Sequence, residues 1–269
     1  MNGGTERRTG SWLISGIAIL ILVFLLAPQV ILFIQSFTAE DYLSFPPKSF
    51  GLKWYRYVVF DEGWRRALVT SLVVAGLSTP LALLVGTAAA IALDRGPQRG
   101  RRLMRALLVS PMVLPHVVLA LALYRVFLSL ALDDTVLGFV AAHLLLAIPY
   151  VVVTVGASLQ TFNTTLEEAA QSLGASPAKA FLYVTIPAIA PGLLAGAIFA
   201  FITSFDEFIV TYFLASRKGT IPIQIFSSLS YQIEPSIAAV SGLTLVITTA
   251  LSLLLVLRGQ FGTKGSSAA

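Results

Sequence analysis

Apolar residues in this chain come in long unbroken runs, not at the spacing of a surface helix or a half-buried strand. Six stretches are apolar nearly throughout: residues 12–37, 67–93, 103–130, 135–159, 185–214 and 237–257. A helix needs about 20 mainly apolar residues to cross a bilayer. In lipid it also satisfies its own backbone polar groups, which an open strand cannot do. A β-barrel would show shorter segments of alternating polarity. The pattern predicts an all-α membrane protein of six transmembrane helices. Pro80, Pro111, Pro115 and Pro149 fall inside the second to fourth runs and predict kinks there.

The polar pieces between the runs carry their own signals. In the loop 38–66, Ser44-Phe45-Pro46-Pro47 predicts a rigid, non-helical entry. Residues 52–60 then mix basic groups with Trp54, Tyr55, Tyr57 and Phe60, which predicts an interfacial helix anchored by aromatic rings. Such a surface is also suited to receive an external binding protein. The piece between the fourth and fifth runs, 161–184, says more. Thr164 and Thr165 are N-cap types, and Glu167 and Glu168 follow them at the capping-box spacing, so a short helix is expected over 166–173. Gly174 suits the left-handed residue that ends it. Ser176 can cap a second helix with Pro177 in first position. Pro187 and Pro191 then disturb the chain as the fifth run begins. A helix–turn–helix lying across one face results. Ala169 and Ala170 are small enough for the first helix to sit deep in a partner's groove. Glu168 stands in the first turn, where the helix dipole favours a carboxylate, and is placed to accept hydrogen bonds from that partner or from its own loop. A rigid helix held this way passes rigid-body motion into the runs on either side.

Composition agrees with a lipid setting. Of 269 residues, 57% are hydrophobic and 12% charged, and mean hydropathy is +0.86; soluble domains carry about 25% charged residues. Cysteine is absent, which excludes disulfides and thiolate metal sites. The net charge of +5 sits in short loops beside the runs, a signal of topology and not of nucleic-acid binding. Arg7, Arg8, Arg95, Arg99, Arg101, Arg102, Arg105, Lys179, Arg258 and Lys264 fall on one side, with the tightest cluster between the second and third runs. Lys48, Lys53, Arg56, Arg65, Arg66, Arg217 and Lys218 fall on the other, five of them in the long loop. Both termini and the Glu168 loop are therefore expected in the cytoplasm, and 38–66 outside. The first run is expected to be a retained helix: it outlasts a signal-peptide core, and no small-x-small site follows.

The segment Glu168-Ala169-Ala170, three residues, Gly174, nine residues, then Val184-x-Ile186-Pro187 resembles the EAA loop of membrane subunits of ABC importers. Beyond it, residues 67–257 are similar to permeases of the spermidine/putrescine branch. The resemblance rests on Ser110-Pro111-Met112-Val113-Leu114-Pro115, Ser204-Phe205-Asp206-Glu207-Phe208, Ile221-Pro222-Ile223-Gln224-Ile225 and Pro235-Ser236-Ile237-Ala238-Ala239-Val240. It implies a single permease domain over 1–269, of the type I importer fold, in a bacterial inner membrane. It implies a coupling helix between the fourth and fifth spans, with Glu168, Ala169, Ala170, Gly174 and Pro187 in the ATPase-coupling loop. Implied partners are an ABC ATPase dimer that binds ATP and Mg, a second homologous permease, an extracytoplasmic solute-binding protein, and lipid. This chain would carry no cofactor and no catalysis of its own. The cargo implied is a small polar solute, a polyamine first, with opines, γ-aminobutyrate and other small solutes open.

Intramembrane polar groups mark a candidate path. Asp206 and Glu207 lie in the fifth run, and charge at that depth usually faces a bundle interior or an aqueous route. Adjacent helical residues point about 100° apart, so one should face inward. Asp206 is favoured because Thr203 and Ser204 extend its polar surroundings, leaving Glu207 for an outer interface or a subunit contact. Asp206 contacts a cationic cargo or its gate, or else forms an ion pair with Arg125. The resemblance implies an acidic residue after Pro115; His116 stands there instead, which leaves a zwitterionic or anionic cargo open. His116 joins Ser204, Asp206 and Glu207 as a candidate path residue. His143 reads as a partner in helix–helix hydrogen bonding. No Gly-x-x-x-x-Gly-Lys-Ser/Thr, His-Glu-x-x-His or Gly-x-Ser-x-Gly stretch occurs, so nucleotide binding and hydrolytic chemistry find no residues in this chain. A self-contained secondary transporter, the main competing class, would show broken internal repeats, and none stands out.

Overall fold

The structure, a computed structural model, describes residues 5–231 and 234–263, with side chains at 14–231, 234–250 and 253. Among the described residues the regular structure is helical, and the one bridge of extended chain joins Thr38 to Phe50. Three helices among the described residues are long and apolar enough to cross a membrane without interruption: α1 (Thr5–Gln35, apolar from Ile14), α3 (Glu62–Arg95) and α6 (Val136–Thr161). Between the first two lies α2 (Lys53–Phe60), the short helix expected in the long loop. Pro80 and Pro149 are accommodated inside α3 and α6.

The third and fifth predicted spans are not single helices. The third is α4 (Arg101–Val113) and α5 (His116–Ser129), bent by 103°. Leu114 precedes a proline, whose ring excludes the α region from its neighbour, and it sits at φ −70°, ψ 140°. Pro111 stays within α4, so Pro115 makes the break. The fifth begins after α7 (Thr165–Ser172) and α8 (Pro177–Ala180). A π-turn (Phe181–Thr185) leads to α9 (Ile186–Ala188) and α10 (Ala190–Phe205), and the axis bends by 67° around Ile189, between Pro187 and Pro191. The span breaks again at 206–208 before α11 (Ile209–Leu214). Counting each bent pair as one span brings the spans among the described residues to five. The sixth run lies in α13 (Ser236–Thr263), which follows α12 (Ile221–Tyr231); its apolar described stretch is Ser236–Ala250.

The chain divides into two compact units, Met1–Asp61 with Ser227–Ile247, and Glu62–Phe226 with Thr248 onward. In the second, α3, α6 and α10 form the centre. They approach closely because small residues line the contact, the usual means of packing helices in lipid. A Cβ on Gly192 would stand 2.4 Å from Ser158 Oγ, and one on Gly86 2.7 Å from Val151 Cβ. Ala82, Ala90, Ala147 and Ala200 pack with Val151, Val155 and Ile189 at one end. Val74, Phe127, Phe139, Leu146, Val210 and Leu214 fill the other. In the first unit, Trp54 and Val58 of α2 are buried, and Trp54 Nε1 donates to the Glu40 carbonyl at 2.7 Å. Ser36 and Tyr55 share a hydrogen bond of 2.7 Å beside Gly242, where any side chain would collide with both. The aromatic face of 52–60 is thus partly a packing face.

Candidate functional site

Helix α7 forms where the sequence places it, but not by the expected cap. Thr164 is itself helical, at φ −62°, ψ −22°, and its hydroxyl caps nothing. Asn163 Oδ1 instead accepts from Thr165 N at 3.0 Å. The two glutamates are freed for other tasks. Glu168 is exposed, with Ala169 exposed and Ala170 half-buried beside it. Leu173 is 90% and Tyr183 77% exposed, so the loop presents two large apolar side chains as well as the Glu168 carboxylate. Gly174 sits at φ +94°, the left-handed region expected at the helix end. Ser176 Oγ accepts from Lys179 N, and Pro177 opens α8. Pro187 is exposed just beyond the π-turn, whose last bond runs from Ile186 N to the Phe181 carbonyl.

Glu167 turns the other way and is 9% exposed. Arg95, the last residue of α3, grips it with two nitrogens, at 3.1 Å to Oε1 and 2.7 Å to Oε2. Thr185 Oγ1 donates to Oε2 at 2.8 Å. Hydrogen bonds from Arg95 come first among the causes that hold this carboxyl below the ordinary glutamate value; burial opposes them and loses. No local signal announces this pairing, because Arg95 is 72 residues away in sequence.

The path candidates meet at the break after α10. Glu207, not Asp206, is the inward residue: it is 6% exposed, while Asp206 is exposed. The expectation assumed a continuous helix. In fact α10 ends at Phe205, and Asp206 is its C-cap. Glu207 Oε1 accepts from Val210 N at 2.7 Å, holding the start of α11. His116 Nδ1, at the start of α5, stands 3.5 Å from Glu207 Oε2. Arg125 is exposed and makes no ion pair with Asp206 or any other described residue. Ser204 is buried, accepts from Ser78 Oγ at 2.9 Å and shares 2.8 Å with His143 Nδ1. His143 Nε2 shares 2.8 Å with Thr211 Oγ1, which donates in turn to the Glu207 carbonyl. One neutral tautomer satisfies the whole chain: Nε2–H donates to Thr211, and Nδ1 accepts from Ser204. The network joins α3, α6, α10 and α11. Ser78 and Thr211 were missed because a hydroxyl in an apolar run gives no sign of its partner.

At the end of this unit opposite Arg95, a groove of about 690 Å³ is lined by Arg65, Arg66, Arg217 and Lys218. Asp134, at φ +52°, fixes its rim by accepting from Ser216, Arg217 and Lys218 backbone N–H groups at 2.9–3.0 Å. Burial raises the Asp134 pKa, but these donors outweigh it and the net shift is downward.

The family model of the binding-protein-dependent transport system inner membrane component matches residues 59–260. The chain belongs to this family. It is 32% identical over 239 residues to the putrescine transport system permease protein PotI of Escherichia coli (strain K12), covering 85% of each chain. It is 28% identical over 259 residues to the spermidine/putrescine transport system permease protein PotC of the same strain, covering 96% of this chain and 98% of that one. A solved bacterial ABC transporter involved in the import of the acidic polysaccharide alginate shares the fold, with TM-score 0.70 at 16% identity over 95% of this chain and 98% of that one. The protein is thus a multi-pass inner-membrane permease subunit of an ABC importer, with the type I permease fold, and is a transport component without catalysis of its own. Membership of the family ties its transport to a binding protein.

Proposed function

We propose that this permease forms half of the translocation path for a polyamine such as putrescine or spermidine, and is coupled by the Glu168 loop to a separate ATPase. A second homologous permease supplies the other half. An ATPase dimer binds ATP and Mg on the cytoplasmic side, where both termini of this chain also lie, and a solute-binding protein delivers cargo from outside. The relatives named for putrescine and spermidine support the cargo. The observation that carries the coupling role is the exposed side of α7, where Glu168 has no side-chain partner among the described residues and is followed by two small alanines. A helix of this shape inserts into a groove, and the exposed Leu173 and Tyr183 of the same loop become buried on docking. The test is co-purification. Glu168→Lys should cut recovery of the ATPase with this chain by about tenfold, the effect of roughly 1.4 kcal/mol of lost affinity. Recovery and transport at wild-type levels would remove the docking role.

A second reading, the same machinery carrying an opine, an amino-acid-like solute or an anion, is favoured by two features. His116 faces Glu207 where a second carboxylate would strengthen cation binding, and the Arg65–Lys218 groove is basic. A ligand screen on the partner binding protein separates the two: tight binding of diamines keeps the first reading, and binding of anions alone selects the second.

A further inference from the structure

The way α7 is attached to the rest of the chain points to a second functional glutamate. Helix α7 has eight residues, too few to be stable alone in water. Its large apolar residue Leu166 and the C-capping Leu173 both point away from the fold and are exposed. Glu167 is the one buried residue of this helix. Its side chain is therefore the principal attachment between α7 and the membrane helices. The attachment is double. Arg95 ends α3, and Thr185, fully buried, closes the π-turn from which the fifth span starts. A bidentate Arg–carboxylate pair fixes orientation as well as distance, and Glu167, the more buried of the two partners, is costly to leave unpaired.

We propose that Glu167 is the positioning residue that clamps the coupling helix to the ends of α3 and of the π-turn, so that a displacement of α7 is passed into two spans at once. This rests on the docking role of Glu168 and extends it. Glu168 and Glu167 are successive residues on one helix, about 100° apart around its axis, so one faces the partner while the other faces this chain. The π-turn and the 67° bend at Ile189 lie directly after the clamp. Motion delivered at Thr185 therefore reaches the point where the fifth span changes direction. Without the clamp, α7 remains joined to the fourth and fifth spans through 162–164, the turn at 173–176 and its packing on α8 and the π-turn, and its displacement would be largely lost in bending those links.

The test uses the whole importer in proteoliposomes, with its ATPase, second permease and binding protein, and measures solute imported per ATP hydrolysed alongside recovery of the ATPase. Glu167→Gln keeps the shape but removes the charge that Arg95 grips. It should leave ATPase recovery at the wild-type level and lower solute per ATP by about fivefold, within the range for positions that carry coupling. Thr185→Val, nearly the same shape, should lower the ratio by about twofold in the same direction. A merely structural role would reduce the amount of complex and leave the ratio of the surviving complex unchanged. Wild-type ratios in both variants overturn the proposal. Where Glu167→Gln fails to assemble, Thr185→Val decides: a lowered ratio supports the clamp, and an unchanged ratio overturns it. Failure of docking is read separately, as loss or retention of the ATPase in Glu168→Lys, so it is distinguished from failure of the clamp.

Discussion

Two pairs of adjacent acidic residues lie in this chain, Glu167–Glu168 on α7 and Asp206–Glu207 at the break after α10, and each pair divides its labour. One carboxylate turns into the fold and is fully engaged; its neighbour stays exposed. The inward members differ in what meets them. Glu167 meets a guanidinium and a hydroxyl, a permanent charge pair at a polar surface. Glu207 meets a backbone N–H and an imidazole 3.5 Å away, deep in an apolar run. The first arrangement suits a fixed mechanical joint, since arginine stays charged at any accessible pH. The second holds a helix break open beside the candidate path.

The contrast is broken most severely at Glu207. Glu207→Ala removes the acceptor that holds Val210 N and leaves that buried donor unpaired, a loss of about 1–3 kcal/mol. The thermal midpoint of the purified permease complex should fall, and Glu207→Gln, which keeps an acceptor oxygen, should recover most of the loss. A wild-type midpoint for the alanine variant would show that the break at 206–208 is held by packing alone. Asp206, the exposed neighbour, should behave in the opposite way. Asp206→Asn should leave assembly and midpoint untouched and slow uptake of a diamine by about tenfold, the effect of about 1.4 kcal/mol of lost attraction. Equal uptake by the two proteins in a radiolabelled putrescine assay would take Asp206 out of the path.

The same two pairs show what could be read without the structure. The α7 loop was legible because its signals are local: a capping residue, a left-handed glycine, a serine–proline start. Even there the cap fell to Asn163 instead of Thr164, since an asparagine side chain bonds the backbone two residues on as readily as a threonine caps. The six apolar runs were legible as runs. Hydropathy averages along the chain, however, and does not record the 103° bend at Pro115 or the breaks at Ile189 and Asp206. Glu207 and not Asp206 turns inward for that reason: the 100° offset of adjacent residues holds along a continuous helix, and α10 ends at Phe205. The Arg95–Glu167 and Ser78–Ser204 contacts span 72 and 126 residues, and nothing in one sequence pairs them.

Acidity gives the finest separation between the members of the α7 pair. The folded-state pKa of Glu167 lies below its ordinary value of 4.5, chiefly through the hydrogen bonds from Arg95. A depressed carboxyl contributes stability that is fully present above the ordinary value and is lost as pH falls through the folded one. Anchoring of α7 should therefore be flat from pH 8 to about 5 and decline below the ordinary carboxylate range of about 4.3. Amide hydrogen exchange over Thr165–Ser172, corrected for the intrinsic rate, reads this directly. Protection should drop with acid in the parent permease and in Glu168→Gln alike, because the exposed Glu168 side chain holds α7 to no other described residue. In Glu167→Gln the protection should already be low at neutral pH, with no further acid step. An acid step that persists in Glu167→Gln would assign it to another carboxyl and leave the clamp without its electrostatic basis.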